Sequence, residues 1–187
     1  MFAKLQKKAG YLDISLASNT VKKIFLSILF AVLTAVFAQI KIYFPNTPVP
    51  FTLQVVSVLL AMYYLGGVYG ALSQIMYFFG GFIFFNWFAG TVAFSFKTIT
   101  FGYIMGFVFA SFICGNLFQR KFFRENIIFR FLGFVLAVFL IYVFGSGYMY
   151  FALGVKFNSI LSIAVYPFIL FDLIKIIAVL FITKIVK

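Results

Sequence analysis

Asp172 and Lys175, in the stretch YPFILFDLIKIIAVLF, are the residues whose types and spacing point to chemistry. Three positions apart on a helix, they share one face. An ionisable group at the centre of a bilayer costs at least about 2.5–3.5 kcal/mol, so one inside an apolar run asks for a role. The chain has just 3 acidic residues, and the other two, Asp13 and Glu125, fall in a polar N-terminal stretch and a basic loop. A carboxylate and an ammonium so placed either neutralise each other as a structural pair or face a polar ligand in a cavity. Both readings are open at this level. Pro167 lies about five residues before Asp172, or ~7 Å along a helix. That places Asp172 near the outer surface and Lys175 a turn deeper.

What must hold this pair is read from composition. Of 187 residues, 65% are hydrophobic and 10% charged, against roughly 45–50% and 25% in a soluble domain. A water-soluble fold of this size cannot hide that much apolar surface, so the chain is an all-α, polytopic integral membrane protein. Its 31 Phe are read as lipid-facing bulk. Six apolar spans are expected, near 21–42, 53–65, 69–85, 99–118, 127–148 and 160–184, as a single membrane domain of six transmembrane helices preceded by a cytoplasmic or interfacial segment, 1–20. The second is short and ends at Gly66-Gly67. Most of the 15 basic residues fall on one side of this arrangement: Lys4, Lys7, Lys8, Lys22 and Lys23, the 120–130 loop, and the C-terminal lysines. That bias puts both termini in the cytoplasm. It also accounts for the net charge of +12 without nucleic acid, for which there is no basic face on a soluble module.

Three further stretches bear on the pair. KIYFPNTPVPFTLQ, residues 41–54, concentrates Pro45, Pro48 and Pro50, which end the first helix and stiffen an outer loop. This loop is read as a lid, with Thr52 and Gln54 opening the helix beneath it. Residues 90–100, GTVAFSFKTIT, offer a second flap carrying Lys97. Asn86 and Trp87 precede it, Trp87 being either an interfacial anchor or a stacking wall for a ring. Small residues recur every four positions at Ala31 and Ala35, and at Gly102, Gly106, Ala110 and Cys114. Such stripes serve helix packing within the chain or docking of a partner.

No enzyme is expected. The sequence has no His, a lone Cys114, no paired carboxylates and no Walker A glycine loop. Neither a cofactor nor a metal is expected, and any active transport must draw its energy from another subunit.

Residues 38–81 resemble the BioY family, the biotin-binding S components of energy-coupling-factor transporters. The resemblance rests on Pro45, Pro48, Pro50, Thr52 and Gln54, on Gly66 and Gly70-Ala71-Leu72-Ser73, and on Asp172 and Lys175 after Pro167. It extends through Phe88-Ala89-Gly90 and Gly102-Tyr103. Two stretches depart from the family pattern: Leu170-Phe171 stands where Pro-Gly is usual, and 98–103 reads TITFGY for Gly-Pro-Thr-Gly-Gly-Tyr. The resemblance implies a six-helix bundle in a bacterial cytoplasmic membrane, with an outward pocket for biotin. Its implied partners are a transmembrane T component, docked at Ala31 and Ala35, and two ATPases. Asp172 would accept from the ureido N–H groups. Asn86 or Gln54 would complement the remaining edge, and Thr52, Trp87 and Tyr103 would line the pocket. Lys175, Lys97 or Lys41 would meet the ligand carboxylate. Another vitamin or small carboxylate, or a structural role in assembly, are the alternatives.

Overall fold

The computed structural model describes residues 2–45, 47–85, 87–89 and 99–185. Its elements are α1 (Phe2–Gln39), β1 (Lys41–Ile42), β2 (Phe51–Thr52), α2 (Gln54–Gly80), a π-helical turn (Gly81–Phe85), α3 (Phe101–Phe118), α4 (Lys121–Glu125), α5 (Ile127–Phe151), α6 (Phe157–Ala164) and α7 (Tyr166–Ile185). Among the described residues, five helical segments are long and apolar enough to cross a membrane.

One of the five is two legs, because the chain reverses inside α2. Gly66 has φ 77° and ψ −171°, a conformation essentially restricted to glycine. Past it the helix runs back along itself. A Cβ on Gly70 would lie 3.0 Å from the Cα of Met62, although eight residues of straight helix span ~12 Å. Gln54 Nε2 likewise donates to the hydroxyl of Tyr77 at 2.6 Å. Residues 54–65 and 67–80 are thus antiparallel limbs, and the expected six-helix bundle is borne out. The first span ends earlier than expected, at Gln39, because Lys41 and Ile42 leave the helix to pair with β2.

Close approach sets the packing. The stripe Ser27, Ala31, Thr34, Ala35 and Ala38 is buried. These small side chains let α1 lie against α2, where the Thr34 and Ser57 hydroxyls share a 2.9 Å hydrogen bond and Ser27 donates to the Tyr69 carbonyl at 3.0 Å. On α3 the glycine stripe meets α5: a Cβ on Gly106 would stand 2.9 Å from the Cα of Ile141. Asn126 caps α5, its side chain accepting from the Ile128 N–H at 2.9 Å. At the same end buried Arg130 clasps three elements. It donates to the carbonyl of Arg124 and, at 3.3 Å, to that of Thr183, and it lies 5.1 Å from the Tyr63 ring.

The last expected span is broken into α6 and α7 at Val165, with φ −128° and ψ −62°. Pro167 explains the break. It has no N–H to give the carbonyl of Ile163. The N–H of Phe168 goes instead to Val165, at 3.0 Å, leaving the Ala164 carbonyl without it as well. Two carbonyls are thus left without helical partners inside the bundle.

Gly66→Ala should lower the thermal midpoint of the detergent-solubilised protein. The positive φ costs about 1–3 kcal/mol, and the added Cβ would lie 2.2 Å from Nε2 of Gln119. Gly154→Ala serves as the control, since φ is 67° there but nothing lies within 4 Å of the added carbon. It should lower the midpoint less.

Candidate functional site

The first limb of α2, at ~1.5 Å per residue, is about 18 Å long, well short of the ~30 Å hydrocarbon core. Above its N-terminal end lies a partly open cavity of about 60 Å³. Val49, Pro50, Phe51 and Thr52 form its roof, and Gln54 and Val55 mark the start of the limb. Tyr77, Tyr103, Ile104, Phe107, Val138, Ile141, Tyr142, Phe168, Asp172 and Lys175 make the walls.

The roof is the proline-rich stretch, folded as a two-stranded antiparallel ribbon with Lys41 opposite Thr52 and Ile42 opposite Phe51. Pro50 is buried against the cavity, whereas Pro45 and Pro48 are exposed. Thr47 anchors the roof. Its hydroxyl donates to the Ile163 carbonyl and accepts from the Val49 N–H at 3.1 Å. The acceptor that Pro167 frees is therefore the one the roof uses. The Phe44 and Phe51 rings pack on Phe171, with centroids 5.5 and 5.0 Å away. Phe171 thus seats the roof.

Below the roof Asp172 and Lys175 are 4% and 6% exposed. Lys175 Nζ lies 2.6 Å from Oδ1 of Asp172. The Tyr142 hydroxyl donates to Oδ2. The ammonium also lies 4.1 Å from the centroid of Phe51, so the roof touches the pair through a cation–π contact. Desolvating either charge alone is costly, and the pair survives burial because each has the other and further partners.

Gln54 and Thr52 line the cavity and are held by the protein itself. Thr52 donates to Gln54 Oε1 at 3.0 Å, while Gln54 Nε2 donates to Tyr77. Tyr103 lines the cavity and donates to the other freed carbonyl, that of Ala164, at 2.8 Å. Trp87 does not join them. It stacks on Tyr77 at 6.1 Å and donates to the Tyr77 carbonyl at 2.9 Å, outside the residues that line the cavity. Lys41 is exposed on β1. Asn86 and Lys97 lie outside the described residues. Ala31 and Ala35 are 3% and 4% exposed, on the α1 stripe whose Ser27 and Thr34 bond to α2.

Tyr142 and Tyr77 were not singled out from the sequence. Tyr142 is a hydroxyl on an otherwise apolar stretch of α5. Its only sequence signal is that a Tyr deep in a span needs a hydrogen-bond partner. Tyr77 is legible only once the reversal at Gly66 brings it opposite Gln54.

The BioY family profile matches residues 7–187. The Biotin transporter BioY of Thermotoga maritima is 33% identical over 153 residues, covering 80% of this chain and 86% of that protein. The Probable biotin transporter BioY of Pyrococcus horikoshii is 37% identical over 157 residues, covering 82% and 89%. One of the same name from Lysinibacillus sphaericus is 37% identical, covering 70% of this chain, which spans 65% of that protein. The fold is that of a crystallised S-component for biotin from an ECF-type ABC transporter, at TM-score 0.81 and 21% identity, over 90% of this chain and 92% of that one.

Thr47→Val removes both bonds that anchor the roof. Each is worth about 1 kcal/mol, so amide exchange through β1 and β2 should accelerate tenfold or more. Exchange within α3 and α5 should stay unchanged. Hydrogen–deuterium exchange mass spectrometry in detergent measures both.

Proposed function

The chain belongs to the BioY family, and from that premise we propose that it is the substrate-binding membrane subunit of a biotin uptake transporter. The observation that carries this reading is the buried Asp172–Lys175 pair in the cavity wall.

The ureido ring of biotin presents, along one edge, an N–H donor beside a carbonyl acceptor. Asp172 and Lys175 present the complement, an acceptor beside a donor, 2.6 Å apart. The two N–H bonds of a cyclic urea diverge around its carbonyl, so one carboxylate serves one of them. Asp172 accepts from that N–H and Lys175 donates to the ureido oxygen. These are charge-assisted bonds in a site shielded from water, the setting in which they discriminate best. The second N–H requires another acceptor, for which Gln54 and Asn86 are the candidates. The thiophane ring and valeryl chain suit the apolar walls formed by Val49, Ile104, Phe107, Ile141 and Phe168. Thr52 and Tyr103 shape the site, and Trp87 braces it by stacking on Tyr77. The ligand carboxylate points to the outer mouth, toward Lys97 or Lys41.

A cavity of about 60 Å³ is far below the roughly 300 Å³ of a small-molecule site. Ligand entry therefore displaces the roof, with Phe51 leaving Lys175 as the ligand arrives. Pro45, Pro48 and Pro50 stiffen the moving segment.

The subunit works by binding, without catalysis and without a cofactor. It resides in the bacterial cytoplasmic membrane with both termini cytoplasmic, as the distribution of Lys and Arg supports. Inward delivery is driven by a T component and two ATPases. With Ala31 and Ala35 turned inward, the T component meets the exposed apolar face of α1, including Ile28, Val32 and Val36.

A purely structural role for the pair has one observation in its favour, its closed 2.6 Å contact. The two readings part on Asp172→Asn. The detergent-purified protein should bind radiolabelled biotin saturably, displaced by biotin but not by thiamine or riboflavin. The variant should bind roughly 10–100-fold more weakly, the worth of a hydrogen bond to a charged group. Unchanged affinity would return the pair to a structural role. Absence of saturable binding to folded wild-type protein would overturn the biotin reading.

A further inference from the structure

We propose that Tyr142 is a specificity-determining residue. By holding Oδ2 of Asp172 toward α5 it orients the carboxylate so that a ligand meets Oδ1, beside the Lys175 ammonium. It thereby selects a ligand edge of one donor beside one acceptor over an edge of two parallel donors. The inference rests on the biotin reading and deepens it.

The argument starts from the two oxygens. Among the described residues, Asp172 has one donor on each: the Lys175 ammonium on Oδ1 and the Tyr142 hydroxyl on Oδ2. Lys175 comes from the same helix one turn on, whereas Tyr142 comes from α5, thirty positions away in sequence. The bond therefore fixes the carboxylate plane against a neighbouring helix. Tyr103, the other tyrosine on this wall, has its hydroxyl committed to the Ala164 carbonyl at 2.8 Å and does not compete.

Position adds a second observation. Tyr142 and Asp172 line the cavity beneath the roof and also an apolar cleft of about 290 Å³ between α5 and α7. Val135, Phe139, Ile169 and Leu173 face that cleft. Tyr142 and Asp172 thus stand where the cavity and the cleft adjoin, and the Tyr142 bond holds Oδ2 on the α5 side.

A carboxylate with both oxygens free forms a two-pronged fork with a guanidinium edge. Tied to Tyr142, Asp172 presents Oδ1, with the Lys175 cation alongside it. That suits N–H beside C=O and repels N–H beside a cationic N–H. The cyclic guanidinium analogue, 2-iminobiotin, is the discriminating probe because it differs from biotin at that one atom and is cationic at neutral pH.

Tyr142→Phe keeps the ring that closes the cleft and removes only the hydroxyl. Equilibrium binding of radiolabelled biotin, and its displacement by iminobiotin, are measured on the full-length purified wild type and variant, with thermal midpoints compared. The expected result is about a tenfold loss for biotin, with iminobiotin unchanged or tighter, so that the affinity ratio narrows at least fivefold. Equal weakening of both ligands would overturn the inference, since a merely structural hydroxyl acts on both alike. Unaltered biotin affinity would also overturn it. Failure of the wild type to bind either ligand would overturn the biotin reading and the inference with it, and is distinguished from the other outcomes because it appears before any variant is compared.

Discussion

Burying a carboxylate and an ammonium together is the constraint around which this bundle is arranged. Neither Asp172 nor Lys175 tolerates the bilayer alone. Their mutual contact has to be completed by groups that satisfy the remaining oxygen and shield the ammonium. Those groups come from three places. Tyr142 reaches across from α5, Phe51 descends from the roof, and α7 itself supplies the spacing that brings the two charges to 2.6 Å. Moving any of the three leaves a charge short of a partner. The pair therefore fixes the register of α5 against α7 and the resting height of the roof.

Helix interruptions create the room and the anchors. Gly66 reverses α2 after about a dozen residues, and the shortened first limb leaves the space in which the cavity lies. Pro167 interrupts α6–α7, and the two carbonyls it releases are taken by Thr47 from the roof and Tyr103 from α3. Unpaired carbonyls at this depth would be costly. Used as acceptors, they convert a defect in one helix into fixed attachment points for two other elements.

Much of this was legible in the sequence, for identifiable reasons. Apolar run length sets the legs, Gly66-Gly67 marks the reversal, and three prolines beside Thr52 and Gln54 mark a stiff segment over polar groups. Asp172 and Lys175 stand out because charge in a span is rare. Residues whose role depends on facing were not legible. A four-residue stripe such as Ala31 and Ala35 identifies a face without saying which neighbour it meets, and here Ser27 and Thr34 on that stripe bond to α2. Trp87 is predicted near the site by position, yet Tyr77 lies between it and the cavity. Tyr142 is one of 11 tyrosines, and nothing local separates it from those facing lipid. The acceptors made by Pro167 require knowing which hydroxyls come within reach, a tertiary property.

The reversal at Gly66 also bears on how such a chain enters the membrane. The first limb, about 18 Å long, is too short to cross a bilayer on its own, and it begins with Gln54 and carries Ser57. The second limb carries Ser73 and Gln74. Those two bond within their own limb, but the first limb, partitioned singly, would bring the Gln54 amide and the Ser57 hydroxyl unpaired into hydrocarbon. Folded on each other and on α1, Gln54 finds Tyr77 and Ser57 finds Thr34. Insertion of this hairpin is therefore inseparable from its tertiary pairing. The translating ribosome has to deliver both limbs, with α1 already in place, before the first is stable in lipid.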